Sequence, residues 1–168
     1  MIEDPASTFC AEVRGPLVGA LTLYCGDRGV AEELAQEALV RTFQRWDTLE
    51  APRPWTYAAA FNLARSRFRR LLAERRARER SAVLAGDGSI DPDTASAVAV
   101  REAVAALPLR QRQSIVCRYY TQLTVRETAA AMGCAEGTVK ALTSQAITNL
   151  RAAGLAVDAP TEEVATSA

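Results

Sequence analysis

The sequence predicts an all-α protein, built as two small helical domains joined by a flexible acidic linker, the second domain carrying a helix-turn-helix. Three observations carry that prediction. Ala and Arg are plentiful, aromatic residues make up only 6% of the chain, and β-branched runs are scarce, a bias toward helix. Apolar residues recur at spacings of three and four in several segments. One cluster of Gly, Asp, Ser and Pro, AGDGSIDPDTAS at 85–96, interrupts that periodicity near the middle. A chain of 168 residues, nearly half of them hydrophobic, suffices for one ordinary domain or two small ones with buried cores.

The first domain is expected over 7–80. In FCAEVRGPLVGALTLYC the apolar positions Phe9, Val13, Leu17, Leu21 and Tyr24 form a helical stripe, with Gly15-Pro16 as a place where the helix can break or kink. GDRG at 26–29 is a turn. VAEELAQEALVRTFQRW then places Val30, Leu34, Ala38, Phe43 and Trp46 near one face, with its acids early and Arg41 and Arg45 late, as the helix dipole favours. A loop with Pro52 and Pro54 follows. A third helix begins at Trp55, with a stripe at Trp55, Ala59, Leu63 and Leu71. The linker is expected over 81–98, the second domain over 99–155 and a frayed acidic tail over 156–168.

In the second domain Pro108 breaks the helical pattern. LRQRQSIVCRYYTQL is expected as a helix with Ile115, Val116, Tyr119 and Leu123 inward. Thr124, with Glu127 three residues on, forms a capping box at the start of a short helix. A turn containing Gly133 leads to a last helix, GTVKALTSQAITNLR, with Val139, Ala146 and Leu150 inward. Small Ala129 and Ala130 let the two helices approach, and Gly133 suits a positive φ. The pattern is that of a helix-turn-helix, and an ordinary αα-hairpin has the same spacing.

The formal net charge is zero, but the charge is unevenly placed. Residues 1–64 carry a net −4, 65–80 a net +6 from eight Arg and two Glu, 81–99 a net −3, and the remainder +1. Eight arginines in sixteen residues favour phosphate contact, though a solvated helix end with snorkelling side chains reads the same. Trp55, Tyr57 and Phe61 lie just before them and suit stacking of unpaired bases, or the core, above all Trp55.

Several functions are excluded or disfavoured. The chain has no His, so it has no His-based triad or base, and it has no glycine-rich phosphate loop. Cys10, Cys25, Cys117 and Cys134 are scattered and form no metal-ligand pair, so free, buried or half-buried thiols are expected. No catalytic residue, metal or cofactor is assigned. The acidic N-terminus has no signal-peptide pattern, and no stretch nears the roughly 18 apolar residues that span a membrane. A cytoplasmic, non-enzymatic protein without membrane contact is expected.

Taken together, the blocks resemble the extracytoplasmic-function (ECF) group of the sigma-70 family of RNA polymerase sigma factors, over roughly residues 9–155. GVAEELAQEALVRTFQRW resembles the family's D-x-A-E-D-L-x-Q-E-x-F helix. RPWTYAAAFNLARSRFRR resembles its F-x-x-W-L-Y-x-I-A-R-N-x-A-x-D-x-x-R helix. LPLRQRQSIVCRYYTQLTVRETAAAMGCAEGTVK resembles the start of its C-terminal domain.

The resemblance implies two domains that both grip core RNA polymerase. Glu33, Leu34, Gln36 and Glu37 would dock on the β′ coiled coil. The helix at 55–70 would capture the −10 promoter element. Asn62 would sit beside a pocket for a flipped-out base, Arg65, Arg67, Arg69 and Arg70 would hold phosphates, and Tyr57 and Phe61 would lie alongside. The last helix would enter the major groove of the −35 element, its domain also meeting the β flap. There Lys140, Ser144 and Gln145 are expected at base edges and Thr138 and Arg151 at phosphate. The linker would run through core. An anti-sigma factor, common in the family, would cover the polymerase- and DNA-binding faces.

Where the family has G-T-V-K-S-R-L-S-R-A, this chain has GTVKALTSQA, so Ala141, Leu142 and Gln145 replace a Ser and two Arg. Two charges are lost from the DNA-facing helix. The loop before the −10 helix, LEAPRP, also departs from the family's F-R-G-x-x. Two other readings compete with a promoter-specificity factor. One is a stand-alone helix-turn-helix regulator, which the acidic block at 28–46 disfavours. The other is an adaptor that binds polymerase or an anti-sigma factor but reads DNA weakly, which the low charge of 137–151 favours.

Overall fold

Asp4 starts the first helix by accepting a hydrogen bond from the backbone N–H of Ser7 at 3.2 Å, with Pro5 at the first helical position. In this computed structural model residues 4–78 and 95–158 are described. They form α1 (Pro5–Cys25), α2 (Arg28–Gln44), a 3₁₀ turn at Trp46–Thr48, α3 (Pro52–Arg78), α4 (Ala95–Ala106) and α5 (Leu109–Ile115). A π-helical turn at Val116–Tyr120, α6 (Val125–Met132) and α7 (Glu136–Ala152) complete them. No strand occurs among the described residues, in agreement with the all-α prediction.

α1 keeps the predicted stripe, with Val13, Leu17, Leu21 and Tyr24 buried and Phe9 half-buried. It runs on through Pro16 without ending. Pro16 and Glu12 are both exposed, so water can reach the carbonyl that proline leaves unbonded. Asp27 caps α2 by accepting from the Val30 N–H at 2.9 Å. Phe43 does not join the inner face and is 53% exposed. The inner row steps 34, 38, 42, and Thr42 takes the place expected of Phe43. Its buried hydroxyl donates to the Ala38 carbonyl and meets the Thr56 hydroxyl, each at 2.9 Å.

α3 begins at Pro52, three residues before the expected start. Pro52 sits at its first position and Pro54 at its third, within the first turn, where no helical N–H is required. The inner row is Thr56, Tyr57, Ala60, Phe61 and Ala64. The expected row of Trp55, Ala59 and Leu63 is half-buried at its edge, and Leu71 is exposed. From Arg69 to Ala77 every described side chain is exposed, so the distal third of α3 extends past the core.

The expected linker, 81–98, lies mostly outside the described residues, and its last four residues already belong to α4. The helix expected over 109–123 is interrupted. After Ile115 the chain widens into the π turn, where Thr121 N–H donates to Val116 O at 3.1 Å. Gln122 follows with φ 54°, so Cys117 and Leu123 point inward while Tyr119 is half-buried. The Thr124–Glu127 capping box forms as predicted, its two bonds at 2.8 and 3.1 Å. Gly133 ends α6 with φ 62°.

α7 packs Val139, Thr143, Ala146, Ile147 and Leu150 inward. The buried Thr143 hydroxyl pairs with Ser114 at 2.6 Å. Residues 157 and 158 of the expected tail are held by backbone carbonyl contacts. Arg151 donates twice to the Val157 carbonyl, at 2.9 and 2.7 Å, and the Tyr119 hydroxyl donates to the Asp158 carbonyl. Residues 159–168 lie outside the described residues.

The two halves share one core. Leu17, Leu21, Tyr24 and Phe61 belong to the same buried cluster as Leu107, Val116, Cys117 and Leu150. α6 packs on α3, while the π turn, α4 and α5 pack on α1. The Arg112 guanidinium spans the seam, donating to Tyr24 O at 2.8 Å and to the carbonyls of Ala105 and Leu107. Burial pulls its pKa down, and the carbonyls supply its acceptors.

Nothing lies within 4 Å of a Cβ placed at Gly133, so substitution there costs backbone conformation alone. Gly133→Ala should lower stability by about 1 kcal/mol, with Gly133→Asn recovering part of it, in thermal or urea unfolding. A second expectation concerns pH. Burial pushes the Cys25 thiol from 9.0 to about 12 and the Tyr57 hydroxyl from 10.0 to about 12. A raised folded-state value favours the protonated form, so this stability is complete below pH 9 and is lost as pH rises from 9 to 12. A urea-denaturation series from pH 8 to 12 should show that decline, and a flat profile would contradict it.

Candidate nucleic-acid interface

The outer side of α3 gathers the basic side chains. Its last buried residue is Ala64; beyond it Phe68 packs half-buried on the core, and the helix carries Arg65, Arg67, Arg69, Arg70 and Arg76. Asn62 is exposed one turn before Arg65, and the Arg65 guanidinium donates to its Oδ1. The Asn62 amide NH₂ is a further donor on this exposed side chain. Arg69 reaches the Ser66 hydroxyl at 3.4 Å, and Arg70 is exposed. The side chain of Arg75 and the whole of Arg80 lie outside the described residues.

Arg67 is placed differently. It donates to Glu33 of α2 at 3.1 Å, so a residue expected at phosphate and one expected at polymerase meet each other. Their side chains are 35% and 70% exposed, and a pair so open to water is worth at most about 1 kcal/mol. Either partner can leave it cheaply.

The aromatic expectations are reversed. Tyr57 and Phe61 are 1% and 0% exposed, so neither can offer a ring face to a base. Both lie on the inner row of α3, with Phe61 edge-on to Tyr24 at 5.0 Å. Trp55, assigned above all to the core, is half-buried at the rim, with the Arg45 guanidinium 5.9 Å from its ring centroid. The three positions are two and four residues apart, and a 3.6-residue period cannot bring all of them to one face.

On α2, Glu33, Gln36 and Glu37 are exposed, but Leu34 is 8% exposed and belongs to the core. It lies on the 34, 38, 42 row that faces α1 and α3, which removes it from the docking set. Sequence reasoning missed Val40 and Phe43, which are exposed and border a shallow groove with Gln36, Leu39 and Cys10. The signal was present, since 36, 40 and 43 stand four and three apart and share one face. This face therefore has an acidic edge and an apolar middle.

On α7, Thr138, Lys140, Ser144 and Gln145 are exposed along one side. Gln145 Oε1 accepts from Gln111 Nε2 at 3.3 Å, and Asn149 donates to Gln111 Oε1 at 2.8 Å. Gln111 of α5 thus fixes one edge of the exposed face. Arg151 is exposed, and its Nε and one terminal nitrogen hold the Val157 carbonyl. The residues after α7 fold back over its end, where Leu155 N–H donates to Leu150 O at 3.1 Å and puts that carbonyl in reach.

The cysteines are free, with Cys117 buried and the other three half-buried, as expected. Burial raises the Cys10, Cys25 and Cys117 thiols, so they are poor nucleophiles at neutral pH. No helix among the described residues is long and apolar enough to cross a membrane.

Comparison with known proteins agrees with this geometry. Residues 11–74 match Sigma-70 region 2, and residues 103–152 match Sigma-70, region 4. An RNA polymerase sigma-E factor of Streptomyces avermitilis is 32% identical over 132 residues, covering 72% of this chain and 69% of that protein. The ECF RNA polymerase sigma factor SigL of Mycobacterium tuberculosis is 31% identical over 140 residues, covering 75% of each. The sigma factor RpoE from Bartonella quintana, solved in complex with the anti-sigma factor NepR, shares the fold with a TM-score of 0.75 at 22% identity, over 88% of this chain and 94% of that one. Two matched regions in the family's order, and relatives at least 30% identical over more than two thirds of each chain, show that the chain belongs to the ECF group of the sigma-70 family of RNA polymerase sigma factors.

Proposed function

We propose that this sigma factor divides promoter recognition and polymerase binding among three exposed helical faces. The face of α2 with Glu33, Gln36 and Glu37 meets the β′ coiled coil of core polymerase, and Val40 and Phe43 supply the apolar centre of that contact. The outer face of α3 captures the −10 element. Asn62 reads a base that has left the stack, and Arg65, Arg69 and Arg70 hold the strand, with Arg67 joining them once it leaves Glu33. Strand capture needs no catalytic group, because binding the unpaired strand draws the equilibrium toward opening.

The face of α7 with Thr138, Lys140, Ser144 and Gln145 meets the −35 element in the major groove, and the same domain reaches the β flap. An anti-sigma partner belongs to the proposal. The Bartonella relative was solved with one, and the α2 and α7 faces are the surfaces such a partner would compete for.

One observation carries the reading: a charge concentration of eight arginines in residues 65–80, begun on the exposed distal part of α3, in the same chain as a helix-turn-helix. A second reading, a polymerase-binding adaptor with weak DNA contact, draws support from the engagement of Gln145 by Gln111 and of Arg151 by Val157. Run-off transcription with purified core polymerase decides between them. Promoter-dependent transcripts support the sigma reading, and none on any candidate promoter would support the adaptor.

Asn62→Ala should reduce promoter opening, followed by permanganate reactivity of unpaired thymines, by at least tenfold while leaving core binding within about twofold. Equal loss of both would signal misfolding and remove Asn62 from the site. Gln145→Arg should tighten binding to −35 duplex DNA and add about 0.9 to the slope of log affinity against log salt, one phosphate contact's worth. An unchanged slope places this side chain away from the backbone.

A further inference from the structure

One edge of the exposed α7 face is built from three side-chain amides that bond one another. Gln111 of α5 donates from Nε2 to Gln145 Oε1 at 3.3 Å and accepts from Asn149 Nδ2 at 2.8 Å. Gln145 and Asn149 stand four residues apart, so they share one strip of α7, and both are exposed. Gln111 is half-buried. Three residues further along α5, the buried Ser114 hydroxyl pairs with Thr143 of α7 at 2.6 Å. That buried pair ties α5 to α7 one turn away from the amides and fixes where Gln111 stands.

The chain of amides orients Gln145 without using it up. A carboxamide has two N–H donors and two acceptor lone pairs, and the bond to Gln111 takes one of these four. Reversing all three amides keeps the chain bonded, with Gln145 donating and Asn149 accepting. In either sense Gln145 has an N–H and a lone pair that the chain does not use. An adenine edge in the major groove presents N7 as acceptor and the N6 amino group as donor, and a carboxamide complements both. A guanine edge presents N7 and O6, two acceptors, and suits a guanidinium, which donates only. Gln145 stands where the family pattern has Arg. A long amide on an open helix surface also loses rotamer freedom when it binds, and a side chain already held by Gln111 loses less.

We propose that Gln145 reads an adenine in the −35 element, and that Gln111, held at its other end by Asn149, is the positioning residue that orients it. The inference rests on the −35 reading of α7 above. It gives the missing arginine a second consequence: the helix has exchanged one base preference for another, besides losing a charge.

The test uses holoenzyme, formed from the full chain and core polymerase, to select bound duplexes from a promoter library randomised across both elements. The parent should prefer adenine over guanine at one −35 position by about tenfold. Gln145→Arg should turn that position to guanine, while preferences elsewhere in both elements stay within about twofold. Gln111→Ala should weaken the adenine preference by about threefold, the share of one neutral hydrogen bond, and leave the other positions alone. A residue that merely supported the fold would lower every preference together. Side-chain amide NMR of the free chain reads the geometry directly, and the NH₂ signals of Gln145 and Asn149 should both move in Gln111→Ala.

A −35 motif that Gln145→Arg leaves unchanged, or that lacks adenine at the position it alters, overturns the proposal and leaves the −35 reading standing. Equal loss of all preferences in Gln111→Ala, or unmoved Gln145 signals, overturns the positioning role. Selection of no −35 motif, or no binding to core, overturns the underlying reading and the proposal with it.

Discussion

Both halves of the molecule rest on α1, and the demand that one helix serve two partners shapes the rest. One side of it, through Val13, Leu17, Leu21 and Tyr24, supplies the core shared with α2 and α3. The adjoining side, through Val18, Gly19 and Leu23, receives α4 and the π turn. A helix with two buried sides has little polar surface left, and α1 accordingly contributes few charges. Its carbonyl end is used as well, where Tyr24 O accepts from Arg112 and gives that half-buried cation a partner. An arginine so placed is costly where its N–H groups are left unbonded; the carbonyls of Tyr24, Ala105 and Leu107 bond its two terminal nitrogens, while its buried Nε has no hydrogen-bond partner.

That economy explains where the charged surfaces fall. Ala64 is the last buried residue of α3, Phe68 packs half-buried against Tyr24 at 5.8 Å, and the described residues from Arg69 on are exposed. Arginines can then follow one another without forcing a guanidinium inside. The result is a helix with an apolar first part and a basic end, electrostatically distinct from the acidic face of α2 alongside. The contact between Glu33 and Arg67 is where those two fields meet, weakly enough that neither surface is committed to it.

The parts of this structure legible in the sequence are those where one residue type allows one environment. The stripe of α1 was readable because its large apolar residues stand among Thr, Glu and Arg. The capping box at Thr124 and the turn at Gly133 were readable because backbone geometry restricts what can stand there. The row of α3 was misplaced because Ala58, Ala59 and Ala60 are small and apolar on every side and declare no face. Phe43 was misplaced for a related reason, since periodicity finds a helix more easily than it fixes the angle of its inner edge; Leu34, which the periodicity set on the apolar row, is in the core. In the candidate site, the position of Asn62 and the basic run was legible. The bonding of Arg151 to the Val157 carbonyl was not, because a backbone acceptor has no signature in a sequence.

The π turn at Val116–Tyr120 has a consequence of its own. It fits one more residue into its rise than an α-helix would, and so offsets the angular phase of everything after it by about 100°. Drawn as continuous α-helix, the same residues would swing Tyr120 a quarter-turn away from α1 and carry α6 and α7 round with it. The extra residue works as a vernier between the start of the second half and its last helix, α7. The relative aim of the two halves is thus written in a local miscount of the backbone, with Gln122 at φ 54° closing the adjustment. Two chains with similar side chains here but a different residue count would present the same helix-turn-helix along different bearings.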